Sequence, residues 1–442
     1  MSPDFARPAL SLPAHAPGAV VVALSGGVDS SALLHALAAW PDYRARGLRA
    51  LHVHHGLHAA ADDWQAHCET FCAALGVALE VRHVAVDRDS GLGLEGAARA
   101  ARRAAFADSL RPGEWLALAH HRDDQAETFL LRALRGSGSE GLAAMQAQAA
   151  FASGQLWRPL LAVPRATLLD YASEHGLRWI EDPANAELHH DRNFLRHQVM
   201  PLLRQRWPHA DAAFAASAGL CGQASALLGV QEEAWLSRHS SGDRLDLEAL
   251  RSAPPAQRAR LLRRWVAQQS APPLPTRGVT AIEHEVLESD DGARFAWHGV
   301  EIQRWRGGLH LLRPTVAWPE DWQADWDGSA VLILPDGGAL TLHGAERFDT
   351  ALQVRARRGG ERLQLPGRVH TRPLKHLLQE SALPPWRRFQ LPLLWDRDEL
   401  LAAGAELISA RLSQWLQMHA ARLRWTAPSA PELTDPVLPR TL

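Results

Sequence analysis

The sequence predicts an α/β fold, a doubly wound parallel sheet, for roughly its first two hundred residues, followed by a helical middle domain and a small α+β domain. Short, continuously apolar, β-branched runs alternate with segments of helical period, and a Ser-Gly-Gly turn joins the first strand to the first helix. After Pro208 the texture changes to Ala, Leu and Arg with helical spacing.

Ala19 to Leu24 (AVVVAL) reads as a parallel strand buried on both faces. Ser30 to Trp40 places Ala32, Leu33, Leu34, Ala36 and Leu37 at helical spacing, and Pro41 stops it. The rhythm continues with strand-like Leu48 to Val53, an amphipathic segment from Asp62 to Leu75, strand-like Val77 to Val84, helical Glu95 to Leu110, and strand-like Trp115 to Ala119. Helical periodicity then marks Ala212 to Arg238 and Asp246 to Gln269, and a proline cluster at 271–275 breaks it. From Phe295 onward, strand-like patches return between Gly and Pro punctuation. The expected organisation is a flexible N-terminus 1–18, an α/β domain 19–208, a mostly helical domain 209–325, a basic α+β domain 326–425 and a flexible tail 426–442.

The chain has 442 residues, 46% hydrophobic and 22% charged, which excludes a disordered or fibrous protein and supports two to four domains. No uninterrupted apolar run approaches the ~18 to 20 residues of a membrane helix, so no membrane partner is expected. Cys68, Cys72 and Cys221 form no C-x-x-C pair, which disfavours a disulfide framework, a zinc ribbon or a cysteine-held cluster. The N-terminus lacks an apolar signal region, so a cytoplasmic location is expected.

Ser25-Gly26-Gly27-Val28-Asp29-Ser30 lies between the first strand and first helix. Its glycines let backbone close on a bulky anion, and the helix N-terminus aims unpaired N–H groups at it. Ser25 and Ser30 add hydroxyl donors, and Asp29 suits a phosphate-bound Mg²⁺. Without a ligand, the same residues read as a helix N-cap. A Walker A loop is excluded, because the chain has a single lysine, Lys375, far from any such turn.

This loop resembles that of the PP-loop N-type ATP pyrophosphatases, which split ATP between its α and β phosphates to adenylate a substrate. Within that superfamily the chain resembles the tRNA(Ile)-lysidine synthetases. The likeness is carried by His52-Val53-His54-His55-Gly56-Leu57, by Glu95, Ala98, Arg99, Arg102 and Arg103, and by His121-Arg122-Asp123-Asp124-Gln125-Ala126-Glu127-Thr128. It extends through Arg135-Gly136-Ser137-Gly138, Arg158-Pro159-Leu160, Trp179-Ile180-Glu181-Asp182-Pro183 and Arg192-Asn193-Phe194-Leu195-Arg196. The resemblance implies ATP and Mg²⁺ as cofactors, and free L-lysine and an isoleucine tRNA with a CAU anticodon as substrates. It allows a homodimer, and implies tRNA recognition by the middle and C-terminal domains.

By that resemblance Ser25, Gly26, Gly27, Val28, Asp29, Ser30 and His54 bind ATP, with Asp29 on the metal. Asp123, Asp124 and Glu127 hold lysine or metal and serve catalysis, and Arg99, Arg103, Arg192 and Arg196 face tRNA or phosphate. Asp124 and Glu127 also have capping-box spacing. Arg192 and Arg196 lie one helical turn apart and can share a face, as a phosphate clamp or as a solvated pair. Gly136 to Gly141 satisfies G-x-G-x-x-G but follows a helix, so it is expected as a mobile loop over the site, with a helix C-cap as the alternative.

The near-zero net charge of −2 conceals a segment, Arg355 to Arg388, with nine cations against Glu361 and Glu380, a net of +7 that leaves −9 elsewhere. Arg358, Lys375, Arg387 and Arg388 are expected to meet tRNA phosphates, with Trp386 and Phe389 beside the last pair. A tRNA thiolase would need reactive cysteines or a cluster motif, and a non-catalytic RNA-binding protein would not need the acidic and glycine elements.

Overall fold

The computed structural model describes Leu10 and residues 18–426 apart from Leu92, Thr315, Val316, Glu320 and Ala382. The expected flexible N-terminus and tail lie almost wholly outside the described residues. The chain divides into two compact units, the first ending at Ala234 and the second beginning at Trp235.

The first unit runs β1 (Val20–Ala23), α1 (Val28–Ala38), α2 (Pro41–Arg46), β2 (Leu48–His54), α3 (Ala61–Leu75), β3 (Ala78–His83), α4 (Gly93–Ser109) and β4 (Trp115–Ala117). It continues with α5 (Arg122–Leu134), α6 (Ser139–Leu142), β5 (Gln148–Phe151), β6 (Gly154–Trp157), α7 (Arg165–Glu174), α8 (Asp191–Phe194) and α9 (Met200–Arg206), and α10 (Ala210–His239) begins in this unit and runs past its end at Ala234. The sheet order is β3-β2-β1-β4-β6-β5. All pairs are parallel except the β5–β6 hairpin, an antiparallel edge with no expected counterpart.

The β1 run is apolar throughout because both faces are covered. Val20 and Val22 join Leu33, Leu34 and Leu37 of α1 in one core, whereas Val21 joins Leu51, Phe106 and Leu116 in the other. Each of these valines is at most 1% exposed, and burying such a side chain stabilises the fold by about 1.5–3 kcal/mol. The sheet therefore holds the carboxyl ends of β1 and β4 at its centre. The chain order reverses between them, and ligands of open α/β sheets bind at such a crevice.

The glycine segment after α5 takes the helix C-cap form, the alternative reading of its sequence. Gly136 adopts φ +69°, its N–H donates to Ala133 O, Ser137 N–H donates to Arg132 O, and α6 begins two residues later. Arg132 Nη1 ties the following turn by donating to the carbonyls of Gly141 and Ala144 at 2.8 Å each. Helix α10 is, among the described residues, long and apolar enough by length and composition to cross a membrane. Its interspersed Ser, Gly and Gln residues kept it from reading as one apolar run.

The second unit opens with β7 (Ser240–Ser241), β8 (Arg244–Asp246), α11 (Leu247–Ser252), α12 (Pro255–Gln268) and α13 (Thr276–Ala281). Strands β9 (Arg294–Trp297), β10 (Val300–Trp305) and β11 (Gly308–Leu312) then complete a five-stranded antiparallel sheet with β7 and β8. The helical middle thus carries a sheet as well, packed through Trp265, Leu261, Ile302 and Leu309. A second five-stranded sheet, built from segments between Gln323 and Ile408, and a three-stranded one ending at Arg422–Thr426 form the α+β remainder.

Candidate active site

The β1–α1 turn is closed by its own side chains. Ser25 N–H donates to Ser30 Oγ at 3.2 Å, Ser30 Oγ donates to Gly27 O at 3.0 Å, and Gly27 N–H donates to Ser25 Oγ at 3.3 Å. Gly26 holds φ +84°, a conformation that calls for glycine, and a Cβ there would also press on Ile180 Cδ1 at 2.7 Å. Ile180 N–H donates to Gly26 O at 2.9 Å, which explains why the 179–183 motif accompanies the loop. The loop and the first turn of α1 border a cleft of about 380 Å³. Its walls include Ser25, Gly27, Asp29 and Ser30 from this turn, His52, His54 and His55 from the end of β2, Trp64 and Arg102. His120, Asp124, Ile180, Asp182 and Asn185 complete them.

Asp29 faces this cleft with Oδ1 buried and without a hydrogen-bond partner; Arg165 Nε stands 4.0 Å from Oδ1 and His121 Nε2 3.7 Å from Oδ2. Burial pushes its carboxyl above the usual range, against the pull of His121 and Arg165. An orphaned carboxylate oxygen beside helix N–H donors fits a divalent cation shared with phosphate oxygens.

Helix α5 opens on a histidine cap. His121 Nδ1 accepts Asp124 N–H at 3.3 Å while Asp124 Oδ2 accepts His121 N–H at 3.0 Å, so the capping box is His121/Asp124 rather than Asp124/Glu127. An accepting Nδ1 places the ring proton on Nε2, which faces Asp124 Oδ2 at 3.4 Å as well as Asp29. Neighbouring His120 is also fixed: Arg158 Nε donates to its Nδ1 at 3.2 Å, and desolvation pushes its imidazole down to about 3, leaving it neutral. His121, His120, Arg158 and Arg165 were not among the expected site residues. The available signal for His121 was its place three residues before Asp124.

The acidic cluster divides. Asp123, expected to hold lysine or metal, is not among the residues that line this cleft: it accepts Arg165 N–H at 3.1 Å and pairs with Arg204 at 3.3 Å. Asp124 and Glu127 meet Arg192 and Arg196, which do share a face. Arg192 Nε donates to Glu127 Oε2 and its Nη2 to Asp124 Oδ1, both at 2.9 Å. Arg196 Nε donates to Glu127 Oε1 at 2.7 Å and its Nη2 to Asp124 Oδ1 at 2.8 Å. Burial alone would raise the Asp124 carboxyl, but His121, Arg192 and Arg196 hold it well below the usual range. The two arginines, expected to face tRNA or phosphate or to form a solvated pair, are engaged with these carboxylates.

Among the other expected residues, His54 lines the cleft with Nε2 3.0 Å from Asp62 Oδ1. Arg99 pairs with Glu95 at 3.1 Å, and Arg103 lies over the Phe151 ring, 4.7 Å from its centroid. In the second unit Lys375 and Arg387 are exposed, and Arg358 N–H donates to the buried Glu361 carboxylate at 2.7 Å. Arg388 is half-buried and donates to Leu383 O at 2.9 Å. Trp386 is no open stacking platform, because it packs against Trp305 and His310, whereas Phe389 is 78% exposed.

A parallel sheet with a glycine-serine turn at its switch point, an orphaned aspartate and no P-loop lysine defines an ATP-binding domain of the PP-loop class, and the PP-loop domain family matches residues 4–203. The TilS substrate binding domain matches residues 245–310, and the TilS substrate C-terminal domain matches residues 352–425. The tRNA(Ile)-lysidine synthase of Xanthomonas campestris pv. campestris is 58% identical over 427 residues, covering 96% of this chain and 98% of that one. The tRNA(Ile)-lysidine synthase of Xylella fastidiosa is 55% identical, covering 92% and 94%, and that of Serratia proteamaculans 42%, covering 88% and 91%. The chain belongs to the tRNA(Ile)-lysidine synthase family.

Proposed function

We propose that this chain ligates free L-lysine to C2 of the cytidine at the first anticodon position of an isoleucine tRNA bearing CAU. ATP first adenylates the C2 oxygen with release of pyrophosphate; the lysine ε-amine then attacks C2 and AMP leaves. The product pairs with A instead of G and shifts the tRNA from methionine to isoleucine identity. Family membership supports this reading, and so does the charge pattern beside the cleft.

The observation that carries it is the quartet of Asp124, Glu127, Arg192 and Arg196, whose Asp124 lines the cleft beside the turn at Ser25 to Ser30. Two carboxylates and two guanidiniums complement a zwitterion, with the α-ammonium on Asp124 or Glu127 and the α-carboxylate on an arginine. Such a grip leaves the ε-amine free to reach the activated carbon. The N–H groups of Val28, Asp29 and Ser30 would receive the phosphates. Asp29 would hold Mg²⁺, whose chemistry is to neutralise the departing pyrophosphate. His121 Nε2 stands between Asp29, at 3.7 Å, and Asp124, at 3.4 Å, and would keep the phosphate and lysine subsites side by side. Before attack the ε-ammonium must lose its proton; Asp124, held well below the usual carboxylate range, is suited to bind an ammonium and not to accept that proton.

The basic segment around Lys375 and Arg387 would bind tRNA phosphates, and the reaction belongs in the cytoplasm, where tRNA and ATP meet. Cys68 and Cys72 speak against thiolation: both are buried, and burial pushes their thiols up to about 12 and about 11. The test is incubation of the protein with ATP, Mg²⁺, labelled lysine and an unmodified tRNA transcript. Lysine in the nucleoside digest, with AMP and pyrophosphate in solution, is the expected result. Absence of all three products refutes the reading.

A further inference from the structure

Outside the cleft, the stretch leading into α8 brings Glu187, His189 and His190 together, with one ligand atom from each lying within 4.8 Å of the others. Glu187 Oε2 stands 3.6 Å from His189 Nδ1 and 3.8 Å from His190 Nε2. Both separations exceed hydrogen-bond length, yet ligand atoms ~2.0–2.1 Å from a tetrahedral zinc stand about 3.3 Å apart. Three electron-pair donors therefore stand close enough together for one small cation to reach all of them.

A second observation is independent of that spacing. The opposite nitrogen of His190, Nδ1, lies 3.2 Å from Glu95 Oε2 on the first turn of α4. A carboxylate there places the ring proton on Nδ1 and leaves Nε2 as a lone pair aimed at the cluster. This is the outer partner that metal-bound histidines use to set tautomer and orientation. The backbone beneath is held as well, since Asn193 Nδ2 donates to Ala184 O at 2.9 Å and to Glu187 O at 3.0 Å.

We propose that Glu187, His189 and His190 bind one transition-metal dication of the zinc class, with Glu95 orienting His190. Two imidazoles and one carboxylate select zinc, cobalt or nickel over Mg²⁺, which prefers oxygen donors alone. The ion would tie the 182–190 segment, whose Asp182 and Asn185 border the cleft, to α4. The site is separate from the Mg²⁺ position proposed at Asp29, and it does not rest on the lysine-ligation reading.

The experiment titrates Co²⁺ into untagged, metal-stripped full-length protein while recording visible absorption. One equivalent should give the d–d bands of a low-coordinate cobalt site, which Zn²⁺ erases and excess Mg²⁺ leaves unchanged. His189→Ala and His190→Ala should each abolish the bands, and Glu95→Gln should weaken binding about 10–100-fold without removing it. Thermal melts without metal establish that each variant is folded; if His190→Ala is not, Glu187→Gln and His189→Ala decide. Absence of cobalt bands in the wild type, or bands that survive in both histidine variants, overturns the proposal.

Discussion

The Arg196 guanidinium forks onto the Glu127 carboxylate, Nε 2.7 Å from Oε1 and Nη2 2.9 Å from Oε2. Glu127 is 1% exposed, and 69 residues separate it from its partner. A planar fork on a buried carboxylate is the strong form of an ion pair. Glu127→Gln should destabilise the chain by about 2 kcal/mol, less than the ~3–5 kcal/mol of a fully buried pair because the arginines keep Asp124. Arg196→Ala should cost less, since Arg192 still serves Glu127, and the Arg192/Arg196 double variant should exceed the sum of the singles. Chemical denaturation of the wild type, Glu127→Gln, the two single arginine variants and the double variant checks this, and additive effects of the two arginines would contradict a shared network.

Asp29→Asn should separate stability from function. Burial raises the Asp29 carboxyl, so the folded state binds its proton more tightly than the unfolded state does. Its contribution is therefore fullest below the unfolded value of 3.8 and is lost as pH rises through the higher folded value. At neutral pH the ionised side chain is a liability in the ligand-free protein, and the amide relieves it. The variant should gain about 0.5–2 kcal/mol in a thermal melt at pH 7 and lose the stabilisation that Mg-ATP confers on the wild type. Near-normal turnover would remove Asp29 from the proposed metal site.

His120 predicts acid sensitivity. Its imidazole is held neutral down to about 3, whereas the unfolded chain protonates near 6.5. Between those values the unfolded state binds the extra proton, so stability falls as pH falls, by at most about 1.4 kcal/mol per pH unit for this one group. His120→Gln should flatten the fall between pH 6 and pH 4 by close to one proton. An unchanged slope would show that His120 charges in the folded protein.

The cysteines should be inert where thiolation would need them reactive. Ellman's reagent at pH 8 should find one fast thiol, Cys221, in the native chain and three after denaturation. Replacing Cys68 and Cys72 together by Ala should leave turnover within about a factor of two, apart from any loss of stability. Abolished turnover in a folded variant would revive sulfur chemistry.

Arg387→Glu is the clean probe of tRNA binding in the second unit, because Arg387 is exposed while Arg388 supports Leu383 O. Affinity should fall across tRNA sequences, and the slope of log K against log salt should become shallower by about 0.7–0.9 for each phosphate that the variant no longer neutralises. An unchanged slope would make this face merely solvated.

Local chemistry legible along the chain determined most of the strand and helix alternation from β1 to β4, though not the β5–β6 edge, and the loop from Ser25 to Ser30. Apolar β-branched runs cannot stay in water, and a Gly-Gly turn with φ +84° at Gly26 admits few conformations. The motifs from Ser25 to Arg196 also carried the family. What folding alone decided was pairing across long separations. Asp123 and Asp124 are adjacent in sequence, yet successive helix positions point about 100° apart, so one meets Arg204 and the other the cleft. The Arg192 and Arg196 forks, the histidine cap joining Asp29 to Asp124, and Trp386 packed against Trp305 arise the same way. A charge's partner is set by three-dimensional proximity and desolvation, and neither has a signature in residue order.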